Sequence, residues 1–135
     1  MNPKALELQA RTQRFAVSVI EFCERLPKDT ATQKIVGQLL DSAGSTDSNY
    51  RATCRARSTD EFIAKIGVAA EEADESKGWL ELLVRSGKVS QDAAAALLKE
   101  ADELTAIFVA SRITARHNQE ERKCIERQQR PKRRR

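Results

Sequence analysis

The sequence predicts an all-α fold, an antiparallel up-down-up-down four-helix bundle. Its 135 residues suit one domain. Four segments repeat apolar residues at alternating spacings of three and four, which is the pattern of amphipathic helices. The joints between these segments are short, so consecutive helices have to run antiparallel. Aromatic residues make up only 4% of the chain, so the expected core is aliphatic and rich in alanine.

The first predicted helix begins near Pro3, since proline suits the first turn of a helix. It ends before Pro27, because the residue preceding a proline is disfavoured in helical conformation. Its inward stripe comprises Leu8, Thr12, Phe15, Val19, Phe22 and Leu26.

The second predicted helix runs from about residue 31 to about residue 56, and Thr30 with Gln33 can form a capping box at its start. Its middle is a run of small residues, Ser42-Ala43-Gly44-Ser45-Thr46. Small side chains allow a neighbouring helix to approach closely. Glycine also weakens a helix, so a local bend or break at this run is the alternative.

The third predicted helix carries the longest apolar stripe, and the other helices are expected to cover it. Ser58 can cap its first amides, while Glu61 can bond back to the cap. Gly87 can adopt the left-handed conformation that often ends a helix. The stripe consists of Phe62, Ile66, Ala69, Ala73, Ser76, Leu80 and Leu83.

The fourth predicted helix begins after a Ser90 cap, and its inward seam is Ala94, Leu97, Ala101, Leu104, Phe108 and Ser111. The apolar rhythm fades past Arg112, but no glycine or proline follows until Pro131, so the helix can continue outward as a charged extension. We therefore divide the chain into a bundle, residues 1–116, and a basic extension, residues 117–135, which is partly helical or disordered. Residues 128–135 are expected to be disordered when free.

Several motifs make the chain resemble a bacterial four-helix bundle family, the intervening-sequence proteins encoded within large-subunit ribosomal RNA genes. The resemblance covers about residues 8–112 and stops before the extension. The matching segments are Gln38-Leu39, Ser42-Ala43-Gly44-Ser45, Asn49-Tyr50-Arg51-Ala52, Ser58, Glu61-Phe62-Ile63-Ala64-Lys65-Ile66, Glu71-Glu72-Ala73-Asp74-Glu75-Ser76 and Trp79-Leu80-Glu81-Leu82-Leu83.

This resemblance implies a ring-shaped homopentamer. The family is similar to the accessory variability determinant of diversity-generating retroelements, a basic pentamer that binds nucleic acid and a reverse transcriptase. The expected partners are therefore further copies of the chain, RNA or DNA, and a reverse transcriptase or another protein.

The charge of the chain is strongly uneven. Residues 112–135 contain ten basic and three acidic residues, a net +7, which leaves −3 for residues 1–111 of the formal +4. Lysine and arginine that neutralise phosphates release counterions, so such a segment favours nucleic-acid binding. The candidate contacts are Arg51, Arg55, Arg57, Arg112, Arg116, Arg122, Lys123, Arg127, Arg130, Lys132, Arg133, Arg134 and Arg135. An inert solvated tail and a docking segment for an acidic protein are the alternatives, and Arg51, Arg55 and Arg57 could instead be solvated or salt-bridged.

Catalysis, cofactors and metals find no support in the sequence. It has no glycine-rich phosphate loop and no nucleophile constellation. The acidic cluster Glu71, Glu72, Asp74 and Glu75 lacks a histidine partner, since His117 lies beyond the bundle core. We expect this cluster to form salt bridges to Arg51, Arg55, Arg57 or Lys65, or contacts between subunits.

The cellular setting is expected to be the cytoplasm. Three cysteines without a CxxC pair indicate free thiols in a reducing compartment. No run of about eighteen apolar residues is present, so no membrane partner is expected. No signal peptide is visible at the start of the chain.

Two functional hypotheses follow from these observations. The first is a non-enzymatic, oligomeric accessory protein that binds nucleic acid through its arginine-rich tail and the bases of the bundle surface. The alternative is a ring-shaped scaffold for protein interactions, with no nucleic-acid role. Salt sensitivity and dependence on the tail distinguish the first from the second.

Overall fold

The computed structural model describes residues 2–131 and confirms the all-α prediction. Four helices follow one another: α1 (Pro3–Glu24), α2 (Thr30–Cys54), α3 (Thr59–Arg85) and α4 (Gln91–Gln129). No strand occurs within the described residues. None of these helices is both long enough and apolar enough to span a membrane, within the same described part of the chain.

The helices pack as a four-membered bundle in chain order. Helix α3 makes the most extensive contacts, with α2 on one side and α4 on the other, while α1 packs on α2 and more narrowly on α4. Because the loops are short, neighbouring helices run antiparallel. The end of α2 and the start of α3 therefore lie at the end of the bundle past which α4 continues.

The helix ends agree with the predicted caps in three of the four places where a cap was expected. The Ser58 hydroxyl accepts a hydrogen bond from the Glu61 amide at 3.0 Å, and the Ser90 hydroxyl accepts one from the Ala93 amide at 3.1 Å. Gly87 follows α3 with a φ of 75°, the left-handed conformation that glycine adopts without steric cost.

The capping box predicted at Thr30 is wrong, because Asp29 caps α2 instead. One Asp29 carboxylate oxygen accepts from the Thr32 amide at 3.0 Å, and the other accepts from the Thr32 hydroxyl at 2.7 Å. These bonds favour the ionised carboxylate, and they lower the pKa of Asp29. The return bond expected within the Ser58 box also differs, since the Glu61 carboxylate accepts from the Arg57 amide at 3.3 Å.

The apolar stripe of α3 lies in the core as predicted. Ile66, Ala69, Ala73, Ser76, Leu80 and Leu83 are buried, and Phe62 is half-buried. At the end of the bundle where α4 leaves, the rings of Tyr50 and Phe108 stack with centroids 5.4 Å apart and close the core between α2 and α4.

Part of the run of small residues in α2 packs against α3. Helix α2 continues through this run, so the alternative of a break is not realised. Ser42 and Ala43 are buried there, and the Ser42 and Ser76 hydroxyls hydrogen-bond across the two helices at 2.8 Å. Each hydroxyl also lies within hydrogen-bond distance of a carbonyl of its own helix, Leu39 for Ser42 at 3.2 Å and Glu72 for Ser76 at 2.9 Å, so both buried hydroxyls have partners.

An arginine clamp fastens α1 to α4. The Arg11 guanidinium donates to Glu100 at 2.9 Å and to Glu103 at 2.7 Å. The hydrogen bond to Glu100, opposed by partial burial and reinforced by both carboxylate charges, raises the pKa of Arg11. These bonds add a polar contact between α1 and α4, which pack over a smaller area than α1 and α2.

Replacing Phe108 with Ala should destabilise the bundle by about 3–5 kcal/mol, because it leaves a cavity against Tyr50. Urea unfolding at fixed protein concentration measures this loss. The matched control is Val109→Ala one position along α4, where the side chain is 42% exposed and the expected change is within about 0.5 kcal/mol. Equal losses in the two variants would contradict the core assignment.

Candidate nucleic-acid interface

The basic extension of α4 is helical over most of its length. The helix runs to Gln129, well past Arg116. It therefore includes Gln128 and Gln129, which were predicted from the sequence to be disordered. That expectation is wrong for these two positions. The predicted contacts Lys132, Arg133, Arg134 and Arg135 lie outside the described residues.

The first part of the extension is anchored on the start of α3. The Gln119 side-chain amide donates to the Asp60 carboxylate at 2.6 Å, and the Arg122 guanidinium donates to the Thr59 hydroxyl at 2.8 Å. Ala115 and Gln119 are half-buried on this side. Packing between helices therefore reaches Arg122, beyond the boundary predicted at Arg116.

The anchoring role of Gln119 and Arg122 was not predicted from the sequence, where Arg122 was a candidate phosphate contact, although a signal for this role existed. Ala115, Gln119 and Arg122 continue the three-and-four spacing of the α4 seam beyond Phe108. The seam changes there from apolar to polar side chains, so hydrophobic periodicity alone does not detect it. Their partners, Thr59 and Asp60, are the first residues of α3.

An open cleft of about 810 Å³ lies at the root of the extension. The start of α1, the loop between α2 and α3, and α4 form its walls. Tyr50, Phe62 and Ala115 contribute apolar surface, while Arg57 and Arg122 bring positive charge. The structure thus brings together two of the predicted site residues that are far apart in sequence.

Five predicted contact residues are exposed from Arg116 onward within the described chain. Arg122 donates to Thr59, and no side-chain hydrogen bond to the described residues is recorded for the other four: Arg116, Lys123, Arg127 and Arg130. The structure records no ion pair for any of them among residues 2–131, although Glu120 and Glu126 are close in sequence. The Nε2 atom of His117 lies 3.3 Å from a carboxylate oxygen of Glu121 in the same part of the helix. These four side chains are therefore available to an anionic partner.

The remaining predicted contacts differ in how accessible they are. Arg55 and Arg57 are exposed in the loop after α2, whereas Arg51 is half-buried and lies 4.0 Å from Asp47. Arg112 is also half-buried and crosses Gly67 of α3, where an added Cβ would lie 3.2 Å from its guanidinium. Arg51 and Arg112 are therefore less exposed than the bases farther along α4.

The acidic cluster on α3 makes none of the predicted salt bridges to Arg51, Arg55, Arg57 or Lys65 within the described chain. Glu71, Asp74 and Glu75 are exposed, and Glu72 is half-buried. Burial, followed by the charge and hydrogen bond of Glu75, raises the pKa of Glu72. Residues 2–131 contain no group of three or more His, Cys, Asp or Glu side chains placed to hold a metal ion.

The cysteines are free thiols in three different environments. Cys23 is buried, and burial raises its pKa to about 11, so it remains protonated at neutral pH. Cys54 is half-buried beside the cleft, and Cys124 is exposed on the extension.

The fold is an antiparallel four-helix bundle from which a basic helix projects. This fold does not by itself assign an activity. The chain belongs to the 23S rRNA-intervening sequence protein family, whose model matches residues 4–110. This confirms the resemblance drawn from the motifs. The matched range ends before Arg112, so the extension lies outside it.

A solved structure with the same fold agrees with this assignment. It is a protein of unknown function from the S23 ribosomal protein family of Bacteroides thetaiotaomicron, with a TM-score of 0.72 and 26% sequence identity. The alignment covers 81% of this chain and 97% of that one. No curated protein matches the chain.

Proposed function

We propose that the protein is a non-enzymatic, oligomeric accessory protein that binds nucleic acid, with phosphate contacts from the α4 extension and from nearby bundle bases. The observation that carries this proposal is the group of exposed bases on the extension that form no ion pair among the described residues. Bases that only maintained solubility would not need to be gathered on one end of the molecule.

The arrangement of charge supports phosphate binding over general solubility. The bundle sequence before residue 112 has a net −3, so the positive charge is not a property of the whole surface. Arg57 and Arg122 share the cleft at the root of the extension, which extends the basic region onto the bundle. A continuous basic region lowers the electrostatic free energy of a phosphate backbone that follows it.

The family description supports RNA as the first ligand to test. The family takes its name from an intervening sequence of 23S rRNA, and that name states no binding activity. The three free thiols agree with a cytoplasmic location, where such a ligand would be available.

A chain that ends at Arg122 should bind RNA about 100-fold more weakly than the full chain near 0.1 M salt. This truncation keeps the anchor to Thr59 and Asp60 but removes Lys123, Arg127, Arg130 and the final bases. Each lost phosphate contact should also remove about 0.9 from the slope of log affinity against log salt. Fluorescence anisotropy across a salt series measures both quantities.

The control replaces four exposed bases elsewhere with Gln, namely Arg14, Arg25, Lys28 and Lys34. These lie on α1, on α2 and in the loop between them, so their loss should change affinity by less than about threefold. Failure of the full chain to bind RNA or DNA at low salt would overturn the proposal. An equal loss in control and truncation would show that only net charge matters.

The outer face of α1 favours a second candidate, an assembly scaffold. Leu6, Val17 and Ile20 are 52%, 47% and 48% exposed, and their spacing places them on one side of the helix. Exposed apolar side chains gathered on one face are typical of protein contact surfaces. We propose that copies of the chain associate through this face, which accords with the homopentamer that the family resemblance implies.

Substitution of both Val17 and Ile20 with Glu should convert a homo-oligomer to monomers, because the charges would have to be buried in the contact. Sedimentation velocity at micromolar concentration measures the change in mass. Ser18→Glu on the same helix is the control, since it adds charge on a different side and should leave the mass unchanged. A wild-type chain that sediments as a monomer would exclude the assembly.

A further inference from the structure

We propose that the extension of α4 presents a phosphate-binding stripe for double-stranded nucleic acid, formed by Arg116, Lys123, Arg127 and Arg130. This inference rests on the proposed nucleic-acid function and specifies its ligand and its geometry. It depends on how the helix distributes its bases around its axis, which composition alone does not reveal.

The four bases of the stripe share one side of the helix. Successive residues turn by about 100°, so these positions fall within an arc of about 60°. Lys123, Arg127 and Arg130 line a single shallow depression on the helix surface together with Glu126. The remaining base of this segment, Arg122, points toward α3 and donates to Thr59.

The stripe is held at a fixed spacing along a helix that is anchored at its root. A rise of about 1.5 Å per residue gives a length of about 21 Å from Arg116 to Arg130. The hydrogen bonds of Gln119 and Arg122 to α3 fix the direction in which the helix leaves the bundle. Beyond them the stripe side chains are exposed, so nothing described in the structure blocks access.

This geometry suits a duplex better than a single strand. Proteins that bind single strands stack the bases on aromatic rings, and no Phe, Tyr or Trp follows Phe108 in this sequence. A duplex instead offers rigid rows of phosphates on both sides of each groove. A stripe of about 21 Å exceeds the roughly 12 Å width of the B-DNA major groove, so its ends can reach both phosphate walls.

An acidic residue at the edge of the stripe provides a direct test. Glu120 lies at the edge of the basic arc between Arg116 and Lys123, whereas Glu121 lies about 100° farther around the helix. Both glutamates are exposed. The same charge change at these adjacent positions should therefore have different effects on binding.

Glu120→Arg should strengthen duplex binding about 3- to 10-fold and steepen the salt slope by about 0.9, because it adds one phosphate contact to the stripe. Glu121→Arg adds the same charge outside the stripe and should change affinity by less than about twofold. The probes are a 20-base-pair RNA, a DNA duplex of the same sequence and the corresponding single-stranded RNA. The full chain should bind a duplex at least about tenfold more tightly than the single strand, and the RNA and DNA arms identify which duplex it takes.

A second variant moves two stripe bases without changing composition. Lys123→Ile with Ile125→Lys, and Arg127→Gln with Gln129→Arg, each shift one base by about 200° around the helix. Duplex affinity should fall at least about tenfold at unchanged net charge, and circular dichroism checks that the helix is retained.

The outcomes separate this inference from the function on which it rests. Equal effects of Glu120→Arg and Glu121→Arg, or unchanged binding after the base shift, would overturn the stripe while leaving nucleic-acid binding intact. Tighter binding to the single strand would also overturn it. Absence of binding to all three probes at low salt would overturn the proposed function and the stripe together.

Discussion

The close contact between α2 and α3 is the constraint on which the rest of the molecule depends. Small buried side chains line part of this contact, and the Ser42 and Ser76 hydroxyls hydrogen-bond across it at 2.8 Å. Helix α3 is thereby fixed as the element against which both α2 and α4 pack. The direction of α4 follows from its packing on α3, so the position of the basic extension depends on that packing. The extension is an arm with a defined direction up to Arg122, where its last contact with α3 lies.

The residues that stabilise the bundle and the basic residues of the extension lie in different parts of the molecule. The core is aliphatic and aromatic, with Phe108 as the last large buried residue of α4. The bases follow on the same helix but beyond the core, where their desolvation does not oppose folding. Arg112 marks the transition, because its guanidinium lies across Gly67 and is half-buried. Natural variation in the extension could therefore alter its charge with little effect on the bundle.

Much of this architecture follows from local sequence rules, and the exceptions have physical causes. The α3 stripe and the Ser58 cap were predictable because hydrophobic spacing and capping chemistry agree there. The α2 cap was misplaced because Asp29 and Thr30 are both good capping residues, and only the fold determines which one adopts the extended conformation. The anchor of the extension was missed because Gln119 and Arg122 occupy inward positions with polar side chains. Which bases share one face depends on α4 remaining helical as far as Gln129, and the fading apolar pattern past Arg112 does not establish this.

Amide hydrogen exchange of the free full-length chain shows whether the bases are carried on a helix fixed to α3. Amides of residues 116–122 should exchange at least about tenfold more slowly than in an unstructured chain, because the contacts with Thr59 and Asp60 oppose local opening. Asp60→Ala removes the acceptor for Gln119 and should speed exchange in that segment, while leaving the core of α3 protected. Exchange at the unstructured rate from Arg116 onward in the wild-type chain would place the bases on a flexible tail and exclude the anchored helix.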